Sequence, residues 1–270
     1  MSIVTWDSPM TSDLQTLFSQ KLQAYYPFVE REILTWTVQG REVEAFRIGE
    51  GNRTVIFTAA HHGNESITSL LLWRFLADYC QKTEQNQTLY GFSCRGLFRK
   101  TTLYAIPLVN PDGAELARRN PAWKANANGV DLNLNYPARW EQAKAIKAKA
   151  PGPRDYPGRE PLDQPETIAL AEFTRRIRPD TVAAWHTQGG EIYGAEDAFG
   201  HLLARESGYK LCQPPTESRN AGYRDWFEQE FGRPAYTIEA GRGENPLPLS
   251  DLPQMYRENL PIFALLLSGI

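Results

Sequence analysis

Two histidines and a glutamate lie where their side chains can meet. His62 and Glu65 are three residues apart in His61-His62-Gly63-Asn64-Glu65. At the mouth of a helix, residues three apart can aim at one point. The chain holds four histidines, His61, His62, His186 and His201. An open metal site takes three protein ligands and leaves a fourth position for water. If the set is two histidines and a carboxylate, the third member is His186 or His201. His186 closes the apolar run Thr181-Val-Ala-Ala-Trp185, whereas His201 sits in a helical stretch beside Leu202 and Leu203. His186 is therefore the choice. His61 reads as a bystander, because neighbouring residues of an extended chain point to opposite faces.

These residues need strands and helices to position them. Residues 53–60 (RTVIFTAA) form a short apolar run rich in β-branched side chains, which reads as a buried strand. Residues 65–80 follow with Ile67, Leu70, Leu71, Phe75, Leu76 and Tyr79 at helical spacing. Residues 102–109 read as a second strand, halted by Asn110-Pro-Asp-Gly113 as a turn. Residues 181–185 and 235–238 give two more strands, with helices expected near 164–176, 195–207, 221–231 and 252–267. Such alternation predicts an α/β fold, a mixed and mostly parallel central sheet flanked by helices on both faces. Ligands of such sheets bind beyond the carboxyl ends of the strands. His62 and Glu65 follow the first strand, His186 ends the third and Glu239 the fourth. One assembled site is the expectation.

The composition sets outer limits. In 270 residues, 41% are hydrophobic and 23% charged, with a formal net charge of −3. That is ordinary for a globular protein and gives no reason to expect nucleic acid or an anionic membrane as partner. No apolar stretch is long enough to span a bilayer, and Met1–Pro9 lacks a secretory pattern. Cys80, Cys94 and Cys212 form no metal-binding motif, and their odd number suits a reducing, cytoplasmic setting; whether Cys80 and Cys94 pair stays open. Residues 150–159 (APGPRDYPGR) read as a long surface loop. The oligomeric state is not legible.

Several motifs in one order resemble the zinc carboxypeptidase family: HxxE, Asn110–Gly113, Gly129-Val-Asp-Leu-Asn133, a strand-end His186, and Glu239 in Thr-Ile-Glu. Within it the chain looks most like bacterial γ-D-glutamyl-diaminopimelate (murein peptide) peptidases, through HHGNESITSLLLWRFLADY, IPLVNPDGAEL, WKANANGVDLNLNYPARW and YTIEAGRGENPLP. The resemblance runs from about Tyr26 to the C-terminus, which makes residues 26–270 the catalytic domain and residues 1–25 a helical extension of it. It implies one Zn2+ ion held by His62, Glu65 and His186, with Asp131 hydrogen-bonded to a ligand histidine. It implies Glu239 as general acid/base and Lys124, where the family usually has arginine, as the cation facing the oxyanion. The substrate implied is a small muropeptide.

Departures bear on that substrate. The family's Asp-x-Asn-Arg reads Asp131-Leu132-Asn133-Leu134 here, so Asn133 can still bond substrate but the arginine that clamps a terminal carboxylate is lost. Arg224, just before Asp225-Trp226, matches the position that sets charge preference in digestive carboxypeptidases and would favour an acidic residue. Tyr223 stands near the place of the family's catalytic tyrosine. Two other readings remain at this level: a general metallocarboxypeptidase, or a zinc N-acyl amino-acid deacylase of the succinylglutamate desuccinylase and aspartoacylase type, which shares His-Gly-Asn-Glu.

Overall fold

The computed structural model describes residues 7–215 and 221–270; Met1–Trp6, most of the segment read for a leader, lie outside the described residues. Helix α1 (Ser12–Tyr25) is capped by Thr11, whose hydroxyl accepts from the Leu14 N–H. The chain then runs β1 (Glu30–Trp36), β2 (Glu42–Ile48), β3 (Arg53–Ala59), α2 (Ile67–Glu84), a small hairpin of β4 (Thr88–Leu89) and β5 (Phe92–Ser93), α3 (Cys94–Lys100) and β6 (Thr101–Ile106). It continues with α4 (Pro111–Ala117), α5 (Trp140–Ile146), α6 (Pro165–Ile177), β7 (Thr181–His186), β8 (Glu191–Tyr193), α7 (Ala198–Ser207), β9 (Lys210–Cys212), α8 (Tyr223–Phe231), β10 (Ala235–Glu239) and α9 (Leu252–Ser268).

Eight strands form one sheet in the order β1-β2-β6-β3-β7-β10-β8-β9. The centre, β6-β3-β7-β10, is parallel, while β1, β2 and β8 join antiparallel to their inner neighbours. The mixed, mostly parallel sheet is thus present. Its central strands are buried on both faces because alternate residues feed different cores. Val55, Phe57, Ala183 and Trp185 pack on the face that carries α2 and α9. Ile56, Val182 and Ala184 pack on the face that carries α6 and α8. Helix α1 belongs to the first face, where Phe18 meets Trp73 edge-on at 5.6 Å.

One local reading changes. Asn110-Pro-Asp-Gly is not a free-standing turn but the start of α4: Asn110 caps the helix through its Gly113 N–H bond of 2.8 Å, and Pro111 occupies the first turn. The cap also reaches the metal-site loop, since Asn110 Nδ2 donates to the His61 carbonyl at 3.0 Å. Gly63 packs so closely there that a Cβ would lie 2.2 Å from the Gly113 carbonyl oxygen. Gly63 is a steric requirement of that contact, and Gly113 of the cap itself, since a Cβ there would lie 2.4 Å from Asn110 Nδ2 and 2.5 Å from the Ala125 carbonyl oxygen. Cys80, Cys94 and Cys212 are all free. Among the described residues no helix is long and apolar enough to cross a membrane.

Candidate metal centre and active-site cleft

The parallel register brings the predicted residues together. Ala59 pairs with Trp185, and His186 with Glu239, so β3, β7 and β10 end side by side. His62 and Glu65 follow β3 on a single 3-10 turn, Gly63–Glu65. His62 Nδ1 lies 2.9 Å from one Glu65 carboxylate oxygen, and His186 Nδ1 lies 3.0 Å from the other. The two Nδ1 atoms are 3.2 Å apart.

That triangle fits a metal ion. Ligand atoms at zinc's tetrahedral bond lengths of roughly 2.0–2.1 Å stand about 3.3 Å from one another. Two ring nitrogens at 3.2 Å cannot both donate to each other, whereas two lone pairs sharing a cation can. Asp131 Oδ1 accepts from His62 Nε2 at 3.1 Å, which holds a proton on Nε2 and leaves Nδ1 facing the triangle, free to give up its own proton to a bound cation. Among the described residues His62, Glu65 and His186 form the one such group of possible metal ligands, and all three are buried.

Charge is concentrated here. Burial disfavours an ionised Glu65, but His62 and His186 reverse that and hold it well below its ordinary value. Burial also lowers His62, yet Glu65 and Asp131 outweigh it and carry the ring up to about 9. Asp131 is drawn below the usual carboxylate range by His62 and Lys124, against its burial. Lys124, deep in the cleft, is kept cationic by Asp131 and Glu65 despite burial. Glu239 goes the other way. Burial first, and then the charge of Glu65, push it up to about 8.

Each predicted residue has a definite place. His62, Glu65, Lys124, Asp131, Asn133, His186, Arg224 and Glu239 all line one cleft, with Leu134 in its wall. Asn133 Oδ1 already accepts the Tyr223 N–H at 3.1 Å. Arg224 is engaged by Asp225 at 2.9 Å and Glu228 at 3.3 Å, so it is not a free cation waiting for substrate. Tyr223 corrects the expectation that it binds substrate. It is fully buried, its hydroxyl is 2.8 Å from Thr174, and its ring packs on Tyr136 and Trp226 away from the cleft. His61 stays outside the ligand triangle and stacks on His186 at 5.5 Å. His201 is on the exposed side of α7.

Sequence reasoning missed Thr187, Tyr193, Asn245, Lys147 and Arg154, which also border the cleft. Asn245 Nδ2 reaches Glu65 at 3.4 Å and the Thr187 carbonyl at 3.1 Å. Thr187 directly follows His186, so strand-end adjacency was a usable signal for it, whereas Asn245 lies six residues beyond Glu239. Nothing in the spacing marks Lys147 or Arg154.

The segment from Lys124 to Asp131 is braced by Asn126. Its Oδ1 accepts from the Asn128 and Val130 N–H groups, and its Nδ2 donates to Gln164 at 2.9 Å and Glu166 at 3.2 Å. Burial pushes the Glu166 carboxyl up to about 7 against its hydrogen bonds, and its Oε1 has no partner. A carboxyl raised on folding stabilises fully below its unfolded value, and that stability is lost as pH rises through the folded value. Glu166→Gln is therefore expected to flatten a decline of up to about 3 kcal/mol between roughly pH 4.5 and 7. Urea unfolding of both proteins at pH 5 and pH 8 checks it; parallel pH dependences would refute it.

A mixed α/β sheet with a His-Glu-His group at its carboxyl edge defines a metallohydrolase architecture. The family model described as zinc carboxypeptidase matches residues 16–198, and the chain belongs to that family. It is a metallopeptidase, and its cofactor is zinc. It is 39% identical over 275 residues to γ-D-glutamyl-L-diamino acid endopeptidase 1 of Lysinibacillus sphaericus, covering 90% of this chain and 68% of that protein. It is 32% identical over 145 residues to murein peptide amidase A of Escherichia coli K12, covering 47% of this chain and 57% of the relative. Among solved structures, bovine thrombin-activatable fibrinolysis inhibitor superposes with a TM-score of 0.82 at 18% identity, covering 98% of each chain. The murein-tripeptide amidase of Escherichia coli O157 superposes at 0.64 with 23% identity, covering 86% of this chain and 90% of that one. At these identities the two superpositions speak for the fold.

Proposed function

We propose that this peptidase hydrolyses the amide between γ-D-glutamate and a diamino acid, diaminopimelate or lysine, in small cell-wall peptides. His62, Glu65 and His186 hold the zinc ion. When bound, zinc supplies Lewis acidity toward water and the scissile carbonyl. Glu239 takes a proton from the attacking water and returns it to the leaving amine, so the C–N bond breaks as the acyl carbon gains the hydroxyl. Lys124 faces the negative charge that grows on the carbonyl oxygen, and Asp131 keeps His62 in its ligand tautomer. Asn133 contributes a polar contact to the substrate from the cleft wall.

The observation that carries the substrate reading is the 39% identity, over most of both chains, to an enzyme named for that bond. Leu134 in the cleft wall supports it, because a leucine cannot clamp the terminal carboxylate that a general carboxypeptidase must hold. Free thiols at Cys80, Cys94 and Cys212 support a reducing compartment, and with it a role in recycling released muropeptides in the cytoplasm.

The test is mass spectrometry of products from L-Ala-γ-D-Glu-diaminopimelate, its lysine counterpart and N-succinylglutamate with zinc-loaded protein. Release of L-Ala-D-Glu and the free diamino acid is expected. Turnover of N-succinylglutamate alone would overturn the reading in favour of a deacylase.

A further inference from the structure

With Leu134 in the clamp position, the cleft needs another source of positive charge if its substrate carries a carboxylate. Among the described residues four cations border it: Lys124, Lys147, Arg154 and Arg224. Arg224 is held by Asp225 and Glu228. Lys124 lies in the field of Asp131 and Glu65 beside the metal triangle. Lys147 and Arg154 remain. Lys147 is half-buried and its ammonium makes no ion pair or hydrogen bond among the described residues, while the Arg154 side chain engages only Asp155 among them, through Nε at 3.0 Å in an exposed pair. An exposed pair of that kind contributes little and exchanges readily. A partly desolvated ammonium at a cleft wall without a counter-charge is costly unless an anion arrives.

The backbone brings their two segments together at the cleft wall. Lys147 ends α5, its N–H bonded to the Ala143 carbonyl at 2.9 Å. The next N–H, of Ala148, bonds back to the Asp155 carbonyl at 3.0 Å, closing residues 148–155 into a loop with Lys147 and Arg154 at its base. The loop is fastened to the catalytic segment by main-chain bonds. The Pro153 carbonyl accepts from Lys124 and Ala125 at 2.8 and 3.0 Å, Gly152 donates to Gly129 at 3.1 Å, and Asp131 donates to Tyr156 at 2.8 Å. Gly129, at φ +69, allows this approach, since a Cβ would meet Gly152 N at 2.7 Å.

We infer that Lys147 and Arg154 form a carboxylate-binding subsite that replaces the missing clamp and takes a free carboxylate of the diamino-acid residue of the substrate. The inference rests on the proposed function. The arginine supplies the planar fork suited to a carboxylate, and the lysine adds a point charge beside it.

Binding is separated from turnover by using zinc-loaded Glu239→Gln protein. Calorimetry would compare L-Ala-γ-D-Glu-L-Lys with the same peptide carrying an amide at the lysine carboxyl. The free acid is expected to bind tighter by about tenfold or more. Lys147→Met with Arg154→Met should abolish that preference, and Lys147→Arg should keep it. Met retains the stem packing, and an unchanged melting temperature shows that the variant folds. Equal binding of acid and amide by the parent, or a preference that survives in the double variant, overturns the subsite. A preference that behaves as expected in a protein whose Glu239 form hydrolyses neither peptide would sink the proposed reaction and leave the subsite standing.

Discussion

Glu239→Gln is expected to lower kcat by about a thousandfold, within the range that positioned general acid/base groups contribute, while zinc content and melting temperature stay near wild type. Glu239 is the last residue of β10 and pairs in register with His186, so a side chain of equal length has no reason to disturb the sheet. Glutamine preserves shape and polarity but cannot accept the proton of water. The environment makes the distinction sharp, because burial and the charge of Glu65 push this carboxyl up in the metal-free protein, and a cation bound to Glu65 would draw it back toward neutral pH, where it can take and return a proton. The ideal proton carrier has a pKa close to the operating pH. Product formation from the tripeptide, with metal content measured on the same sample, is the check. Full activity in the variant would require a different group to move the proton.

The second large effect concerns the metal. His186→Ala should reduce bound zinc from one ion per chain to a small fraction and abolish hydrolysis, because it removes one of the three residues that form the ligand group among the described residues. His61 is held away from the triangle in the variant too: its Nε2 lies 3.3 Å from the Tyr136 hydroxyl and its ring packs on Tyr223. Asp131→Ala is expected to be milder, weakening zinc about 10- to 100-fold, the usual cost of losing the group that orients a ligand histidine. Competition with a chelator, followed by metal analysis, ranks the three proteins. If His186→Ala kept stoichiometric zinc, the assigned ligand set would be wrong.

The parts of this molecule that were legible in the chain are those where chemistry and periodicity coincide. Apolar runs ending on His186 and Glu239 located both the strands and the edge of the sheet where the site assembles, because a parallel register aligns strand ends automatically. His62 and Glu65 were legible because three residues in a tight turn set their separation. Tyr223 was not legible, since a sequence match in α8 cannot say which way a helix faces, and the aromatic cluster with Tyr136 and Trp226 draws that ring inward. Arg224 was found at the cleft, but its engagement by Asp225 and Glu228 depends on helix geometry that residue type does not reveal. Residues 150–159 read as surface loop for their prolines and glycines. Their attachment to Lys124 and Asp131 was invisible because main-chain hydrogen bonds carry no residue signature. Strands β1, β8 and β9 also escaped, being short, half-exposed or at the sheet edge, and β2 because Glu42, Glu44 and Arg47 interrupt its buried run.

That same attachment has an evolutionary consequence. Because the loop is fastened through carbonyl and amide groups of Pro153, Gly152, Ala148 and Tyr156, its position does not depend on the side chains at 147 and 154. Those two positions can mutate while the scaffold and the metal centre stay intact. If Lys147 and Arg154 form the proposed subsite, substrate preference can drift by single substitutions that leave catalysis in place, and residues 147–155 transplanted between relatives with their glycine and prolines would carry that selectivity with them.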